Sequence, residues 1–407
     1  MRVIIHLFFV LSLTFLPTRF THTQEQPSTS EQMLEVGESQ AATPIGGYGN
    51  AFYQHDANAD AARVNFERFV LFIGHRFSEK ISFFSELEVE DAKLEGGEPG
   101  GEVALEQAYL KFILDRNTYI VAGLFIPRIG ILNEDHLPNR YNGNERPLVE
   151  RYVIPSTWRE LGVGLYGNLG RIPLRYTIAV VNGLNSGGFE HGSGIRGGRY
   201  EGREASANNL AVTGALQFQA GDLRLQVSGY GGGSVGLPSS VADTLGLASG
   251  IFATPVLLGE AHARYEKGGL QAKLLGTIVS IPEAASINAA FANNTPQRIW
   301  GAYAELGYDV LSAVRNEPPH PQLVAFVRLE RFDLNATIPA NGVTDPTLNQ
   351  THVIGGLTYL PHPNVVVKAD IRLAQTGDQN QALTGGPAVP SYESRNTFVN
   401  LGIGFSF

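Results

Sequence analysis

The sequence predicts an all-β fold in which 16 antiparallel strands close into a transmembrane barrel. The chain ends on an alternating segment, TFVNLGIGFSF, in which an apolar residue recurs at every second position from residue 399 to Phe407. A strand shows one face at every second residue, so this segment is a strand with one apolar face. Further candidate strands recur along the chain, and the segments between them alternate between short and long. This alternation is typical of outer-membrane barrels, which have periplasmic turns and extracellular loops.

The first residues are typical of a secretory leader. Arg2 supplies a positive charge, and Val3 to Leu16 is an apolar run. A membrane anchor is the alternative, but the run is shorter than the roughly 20 residues that span a bilayer as a helix. Cleavage is expected around Thr21 to Gln24. The expected organisation is a signal peptide over residues 1–23, a flexible periplasmic segment over 24–43 and the barrel over 44–407.

The composition excludes several classes of protein. The chain has no cysteine, so it has no disulfide, no lipid attachment through a thiol and no thiolate metal site. Its 47 glycines, 22 phenylalanines and 15 tyrosines suit a barrel of short strands with aromatic residues at the membrane interfaces. A formal net charge of −9, without a lysine-rich tract, argues against nucleic acid as a partner. No cofactor and no metal site are expected.

The strands are predicted from apolar alternation between turn residues. Two sandwich domains are the alternative architecture, but sandwiches give no reason for connections to alternate in length. The predicted strands are Ile45–Gln54, Val64–Phe77, Ile81–Glu90, Val103–Leu114, Tyr119–Phe125, Leu161–Asn168, Leu174–Asn182, Leu210–Phe218, Leu223–Tyr230, Val256–Glu266, Leu270–Ser280, Ile299–Asp309, Gln322–Arg331, His352–Leu360, Asn364–Ala374 and Asn396–Phe407.

Charged residues sort onto the strand face opposite the apolar one. A charge on the lipid face near the bilayer midplane would cost about 2–4 kcal/mol, so this sorting is enforced physically. For any one of these residues, the alternative role is simply to keep a wet interior soluble. Register is open in the second and fourth strands, where Glu67, Arg68 and Glu106 do not follow one parity. The predicted pore-lining residues are acidic Glu86, Glu88 and Glu90, and basic Arg175, Arg224, Arg264, Lys273, Arg328, Lys368 and Arg372.

The longest connection, Ile126 to Glu160, is the third long loop. Sixteen strands enclose a space too wide for side chains alone to fill, so this loop is expected to fold into the pore. Its arginines offer forked donors for phosphate or carboxylate. Because the loop carries equally many carboxylates, two interpretations stay open: arginines exposed at a constriction, or a salt-bridged scaffold. The constriction-loop candidates are Arg128, Arg140, Arg146, Arg151 and Arg159.

Four segments together resemble the phosphate-selective porin O and P family of outer-membrane channels. They are FERFVLFIGHRFSEKISFFSELEVEDA (Phe66 to Ala92), GEVALEQAYLKF (Gly101 to Phe112), ERPLVERYVIPSTWRELGVGLYG (Glu145 to Gly167) and GIRGGRYEGRE (Gly194 to Glu204). The resemblance implies a barrel of 16 strands, a homotrimer, an inward-folded third loop and selectivity for anions such as phosphate. The chain departs from the family pattern in its few lysines and its net acidic charge.

Two other classes of function are weighed. A barrel enzyme would need a nucleophile, but G-x-S-x-G around Ser234 lies in a glycine-rich loop rather than a strand–turn–helix. G-x-G-x-x-G at Gly162 to Gly167 falls within a strand and opens no helix, which argues against nucleotide binding. His262 is the one histidine expected in the lumen beside acids. A receptor or adhesin would act through long loops such as the one with Arg196, Arg199 and Arg203, whose alternative is a mobile solvent loop.

The sequence therefore favours a non-enzymatic porin of the bacterial outer membrane for passive diffusion of small polar solutes. The aromatic residue that closes the last strand, Phe407, resembles the assembly signal of outer-membrane barrels. The expected partners are the lipid bilayer and its lipopolysaccharide, small anions or other small polar solutes, two further copies of the chain, and the barrel-assembly machinery.

Overall fold

A computed structural model describes residues 43–92, 101–170, 172–314, 321–384 and 392–407. Within these ranges, 16 antiparallel strands close into one barrel in which each strand pairs with its sequence neighbours and β1 pairs with β16. The strands are β1 (Ile45–Asp56), β2 (Ala61–Ser78), β3 (Ile81–Glu90), β4 (Val103–Ile113), β5 (Thr118–Phe125), β6 (Glu160–Asn168), β7 (Leu174–Asn182), β8 (Leu210–Ala220), β9 (Leu223–Gly232), β10 (Val256–Lys267), β11 (Leu270–Ser280), β12 (Arg298–Asp309), β13 (Gln322–Thr337), β14 (Asn349–His362), β15 (Val365–Thr376) and β16 (Arg395–Ser406).

The predicted barrel of 16 strands is confirmed. Most observed strand ends lie within three residues of the predicted ones, and β13 runs furthest beyond its prediction, to Thr337. The predicted signal peptide, and the 24–43 segment up to residue 42, lie outside the described residues and stay predictions. None of the described helices is both long and apolar enough to span a bilayer.

The two ends of the barrel differ as the connection lengths predict. The turn-side connections are short, with two residues at 221–222 and 268–269, except for residues 310–321 between β12 and β13. The exception on the loop side is the β1–β2 connection, residues 57–60, which is short because both strands extend beyond their predicted ends. The loop side carries the described helices α1 (Leu148–Tyr152), α2 (Ser239–Thr244), α3 (Ala284–Phe291) and α4 (Gln381–Thr384), with 3-10 turns at Ser186–Gly188, Arg196–Gly198 and Pro346–Leu348.

The outer surface of the barrel is apolar. On β16, Leu401 and Ile403 are more than half exposed, and the same parity on β15 exposes Val367 and Ile371. Backbone hydrogen bonds of 2.9 Å in both directions join Gly47 to Phe407 and seal the first strand to the last. A closed barrel leaves no strand edge for lipid to contact, and its apolar exterior is the surface that lipid covers. The protein is therefore an outer-membrane barrel.

Two β-bulges explain the charges that did not follow one parity. The pairing of β2 with β1 passes over Glu67, and the pairing of β4 with β3 passes over Glu106. A bulge inserts one extra residue and re-aims the side chains beside it. Consecutive residues then face the interior, Glu67 beside Arg68 and buried Glu106 beside buried Gln107.

Candidate functional site

The connection between β5 and β6, residues 126–159 and called L3 below, lies inside the barrel. The Asn139 amide donates to the carbonyl of Pro363 at 2.8 Å, and Pro363 belongs to the β14–β15 turn on the turn side. The backbone N–H of Asn144 donates to Asp370 on β15 at 2.7 Å. L3 therefore runs through the lumen and contacts the wall opposite the strands from which it starts.

Part of the lumen is filled by a packed apolar core. The inner faces of β1–β4 carry buried aromatic and aliphatic residues, and L3 lays its own apolar residues against them. This packing removes apolar surface from water and keeps water out of the core. The free space that remains is bordered by β1–β3 toward the loop side and by β8–β11, β13 and β14 toward the turn side. The core includes Tyr48, Val70, Phe72, Phe84 and Tyr109 from the wall, and Ile129, Leu132, Ile154 and Trp158 from L3.

The far wall holds L3 through a balanced charge network on β11–β13, called the balanced anchorage below. Arg328 is 1% exposed and donates to Glu330 at 2.7 Å and to Glu305 at 3.1 Å. Lys273 donates to Glu305 at 2.9 Å. The Arg328 guanidinium also donates to two L3 carbonyls, at 3.0 and 3.2 Å. Two cations thus meet two carboxylates, and the arginine's remaining donors bind the loop.

The near wall holds L3 through a different set, called the acidic anchorage below. His136 of L3 places Nε2 3.3 Å from Glu86 on β3 and 3.4 Å from Glu106 on β4. Burial lowers the pKa of His136, but the two carboxylates outweigh burial and raise it to about 9. Arg68 adds contacts to Glu67 at 3.3 Å and Glu88 at 3.2 Å. The set therefore has four carboxylates against two basic groups: Glu67, Glu86, Glu88 and Glu106 against Arg68 and His136.

L3 leaves two cavities in the lumen, one toward each end. The loop-side cavity, of about 290 Å³, is lined by five arginines and four acids. The turn-side cavity, of about 430 Å³, is lined by four basic residues and three acids. Tyr141 of L3 lines both cavities, and Lys368 lies 3.6 Å from the centre of its ring. The segment around Tyr141 therefore separates the two spaces.

Three arginines of the loop-side cavity bind neutral groups. Arg63 donates to the Gln54 amide oxygen at 2.9 Å, Arg146 donates to an L3 carbonyl at 3.5 Å, and Arg196 donates to L3 carbonyls at 3.0 and 3.3 Å. Burial and two neighbouring guanidiniums lower the pKa of Arg196 to about 10. It stays protonated at neutral pH in an environment that already holds positive charge.

Two of the cavity's four acids, Glu67 and Glu145, pair with arginines. Glu67 accepts from Asn50 at 2.6 Å and pairs with Arg68. Glu145 of L3 pairs with Arg372 at 2.8 Å, and Arg151 lies 3.8 Å from it. With these two acids paired, the three guanidiniums bound to neutral groups contribute positive potential to this cavity.

The predicted pore-lining basic residues have different environments. Arg224, Arg264 and Lys273 line the turn-side cavity. The expectation of an open position is wrong for Arg328 and for Lys368, which is 4% exposed, because L3 covers both. Arg372 pairs with Glu145 as described above, and Arg175 is half-buried on β7.

The predicted acidic wall is also largely covered. Glu86 and Glu88 are 2% and 3% exposed, so the expectation that they face open water is wrong. They lie beneath L3 in the acidic anchorage, because the loop folds against β3 and β4, beside the strand β5 from which it starts. Glu90 lines the loop-side cavity. Its effect on a passing solute stays a prediction.

The L3 arginines divide between the two interpretations that the sequence left open. Arg146 and Arg151 line the loop-side cavity, and Arg140 lines the turn-side cavity. Arg128 pairs with Glu134 at 2.6 Å. Arg159 pairs with Glu201 of the β7–β8 loop at 3.1 Å and is buried. L3 is thus a scaffold at its ends and presents arginines in its middle.

The residues considered for enzymatic or receptor functions make contacts within the folded chain. Ser234 is buried and donates to the Thr254 carbonyl at 2.6 Å. His262 lies 2.8 Å from Glu260 on its own strand. Arg199 donates to two L3 carbonyls at 2.9 Å and pairs with Glu201 at 2.6 Å, so the β7–β8 loop packs onto L3.

Several residues of the site were not predicted from the sequence, among them Tyr141, Arg63 and His136. Arg63 directly precedes the predicted start of β2 at Val64, and extending the alternation of that strand by one residue would have found it. His136 lies in a loop without a period, so no local signal marks it. Its contact with Glu86 joins residues 50 positions apart.

Comparison with known proteins gives a relative and a fold. A protein of Aquifex aeolicus (strain VF5), described as an uncharacterized protein, is 30% identical over 340 residues, which cover 80% of this chain and 74% of the relative. The chain belongs to the family of this Aquifex protein. No family model matches the chain, so its resemblance to the phosphate-selective porin O and P family stays a prediction.

Solved structures share the fold of this family member. OmpF of Salmonella typhi superposes with a TM-score of 0.54 at 12% identity, covering 90% of this chain and 97% of that one. OmpT of Vibrio cholerae gives 0.52 at 12% identity, covering 91% and 99%. An anion-selective porin of Comamonas acidovorans gives 0.51 at 11% identity, covering 90% and 99%. At these identities the likeness shows a porin-type barrel fold.

Proposed function

We propose that the protein is a passive outer-membrane channel for small polar solutes, with a preference for anions. Solutes enter the loop-side cavity from outside the cell, pass the L3 segment around Tyr141, and leave through the turn-side cavity. The observation that carries the proposal is the set of three loop-side arginines, Arg63, Arg146 and Arg196, bound to neutral groups. Guanidiniums in a partly desolvated cavity attract anions and replace part of their hydration.

Phosphate is the finer proposal. Guanidinium forks match the oxygens of phosphate better than those of a spherical ion. The anion-selective porin with the same fold supports an anion channel on this scaffold. The resemblance to phosphate-selective porins points in the same direction. The excess of arginine over lysine among the cavity's basic residues, five arginines and no lysine, supports the phosphate preference.

Assembly and export are part of the same proposal. The chain is exported with a signal peptide over residues 1–23, and its last strand, ending at Phe407, is recognised by the barrel-assembly machinery. Three copies associate in the membrane, in contact with lipopolysaccharide. A form of Vibrio cholerae OmpT, which shares the fold, is described as a trimer. The protein has no catalytic role in this proposal.

The test is the reversal potential of purified protein in a planar bilayer under a salt gradient. Wild-type protein should prefer anions. The combined variant Arg63→Gln, Arg146→Gln, Arg196→Gln should lower the anion-to-cation permeability ratio on the order of tenfold. The matched control removes three exposed charges outside both cavities, as Arg116→Gln, Arg203→Gln, Arg331→Gln, and should leave the ratio close to wild type.

The outcomes separate the anion channel from the phosphate preference. Anion preference with block by added phosphate supports both parts of the proposal. Anion preference without block supports the anion channel and rejects phosphate. A wild-type cation preference, or equal effects of the two combined variants, contradicts the role of the loop-side arginines. Absence of any conductance would favour a receptor acting through the loops, or a barrel enzyme.

A further inference from the structure

We propose that Glu86, Glu106 and His136 form a binding site for a divalent metal ion, zinc by preference, that fastens L3 to the barrel wall. The site joins a loop residue to two strands. Among the described residues, it is the group of three histidine or acidic side chains whose donor atoms come together, all lying within 4.8 Å of one another.

The spacing of the donor atoms suits a four-coordinate ion. The Nε2 atom of His136 lies 3.3 Å from Oε1 of Glu86 and 3.4 Å from Oε2 of Glu106. Zinc binds histidine nitrogen at about 2.0–2.1 Å and carboxylate oxygen at about 2.0–2.2 Å, so tetrahedral ligands lie about 3.3–3.5 Å apart. Mixed imidazole and carboxylate donors favour zinc over the purely oxygen-seeking calcium and magnesium.

Each of the three side chains is oriented by a further hydrogen bond. Nδ1 of His136 lies 3.0 Å from a backbone carbonyl of L3 and donates to it, which turns Nε2 toward the carboxylates. Gln107 donates to the second oxygen of Glu86 at 2.7 Å, and Thr157 donates to the second oxygen of Glu106 at 2.7 Å. Metal ligands are held in this way, with the second polar atom of each fixed by a neighbour.

An unsatisfied atom points independently to a ligand. Oε2 of Glu106 is buried and accepts no hydrogen bond of good geometry within the described chain; its near donor is Nε2 of His136, in the 3.4 Å contact described above, and Glu106 as a whole is 0% exposed. Burying a carboxylate oxygen without a partner is costly. The acidic anchorage also has more carboxylates than cations, so a dication would both coordinate this oxygen and offset the surplus charge.

The β-bulge explains how Glu106 enters the group. It is the extra residue of β4 where the pairing with β3 shifts, and without the bulge its parity would place it on the outer face. Bulges recur beside functional sites because they re-aim one side chain. Here the bulge turns a carboxylate toward the loop histidine. A metal ion at this point would tie L3 to β3 and β4 at the base of the packed core.

The test is zinc binding by full-length, untagged protein in detergent after removal of metal with a chelator. Isothermal titration calorimetry should show one zinc ion per chain. His136→Gln and Glu106→Gln should each weaken binding by about 100-fold or more, since each removes a ligand. The matched control, His262→Gln, changes a buried histidine that contacts one carboxylate and should bind zinc as wild type does.

A milder variant tests the site without removing a ligand. Thr157→Val keeps the shape of the side chain but removes the hydrogen bond to Glu106, and should weaken zinc binding roughly 10- to 100-fold. Thr213→Val removes a comparable buried hydroxyl, which donates to a carbonyl at 3.0 Å elsewhere in the barrel, and should have no effect.

Two results would overturn the proposal. Absence of stoichiometric zinc binding by wild-type protein would show that a proton on His136 alone bridges the two carboxylates. Equal binding by wild type, His136→Gln and Glu106→Gln would place the zinc at unrelated surface groups. The first result needs no variant, and resistance to unfolding in SDS checks separately that the variants in the second result reach the native fold.

Discussion

The two anchorages of L3 hold the same loop by different chemistry. In the balanced anchorage, Arg328 and Lys273 meet two carboxylates, and the spare arginine donors bind L3 carbonyls. In the acidic anchorage, four carboxylates face Arg68 and one histidine that the loop itself supplies. Buried charges persist when they are paired and hydrogen-bonded. The buried charges of the balanced anchorage therefore neutralise one another, whereas the acidic anchorage has a surplus of negative charge that a bound cation would offset.

Breaking the balanced anchorage should have the largest effect. Arg328→Met leaves Glu330 and the Oε2 atom of Glu305 without their cation. It also removes two hydrogen bonds to L3. Removing one partner of a buried ion pair costs about 3–5 kcal/mol. Denaturant unfolding followed by tryptophan fluorescence measures the loss in unfolding free energy, because Trp158 lies in the L3 core.

The control for this change lies on the same strand. Arg331 faces outward, with its guanidinium 5.9 Å from the centre of the Trp300 ring. Arg331→Met should cost no more than about 1 kcal/mol. Equal losses from the two variants would contradict the assignment of Arg328 to a buried anchorage.

Adding zinc should stabilise the acidic anchorage and leave the balanced anchorage unchanged. At 100 times its dissociation constant, a ligand of the native state adds about 2.7 kcal/mol to the unfolding free energy. We expect this gain in wild-type protein and its loss in His136→Gln. Arg328→Met should show the same gain as wild type, from a lower starting point. A gain in His136→Gln would place the stabilising ion elsewhere.

The contact of L3 with β16 depends on a residue without a side chain. A Cβ at Gly402 would overlap the side-chain oxygen of Asn144 in L3. Gly402→Val should therefore push the loop away from the wall and cost about 1–3 kcal/mol, as overpacking does, with a change in single-channel conductance. Gly276→Val, at a strand glycine with nothing within 4 Å of an added Cβ, should change neither. Equal conductances in the two variants would contradict the close approach.

The smallest effect is expected from removing one carboxylate charge from the acidic anchorage. In zinc-free buffer, Glu86→Gln should change the unfolding free energy by less than about 1 kcal/mol, because the amide can still bond Gln107 and His136 while a surplus charge is removed. The same substitution at Glu305, which serves both Lys273 and Arg328, should cost about 3–5 kcal/mol. Similar losses at both positions would remove the distinction between the anchorages.

The strands could be predicted from the sequence because each is marked locally, by an apolar residue at every second position between turn residues. The environments of the charged residues could not. Glu106 depends on a bulge, which exists only relative to a partner strand. Arg328 has the parity of a luminal residue, but its burial depends on L3, whose contacts lie about 180 residues away in sequence. Loop segments such as the one that carries His136 have no alternation of apolar residues from which a contact could be predicted.

Cysteine accessibility at Tyr141 is the direct test of whether L3 divides one route into two cavities. The chain has no native cysteine, so Tyr141→Cys creates one reactive thiol, and Leu274→Cys, on the exposed outer face, is the control. We expect that an anionic methanethiosulfonate reagent, added on either side of a planar bilayer, lowers the conductance of Tyr141→Cys and leaves that of Leu274→Cys unchanged. A conductance of Tyr141→Cys that resists the reagent from both sides would contradict this expectation.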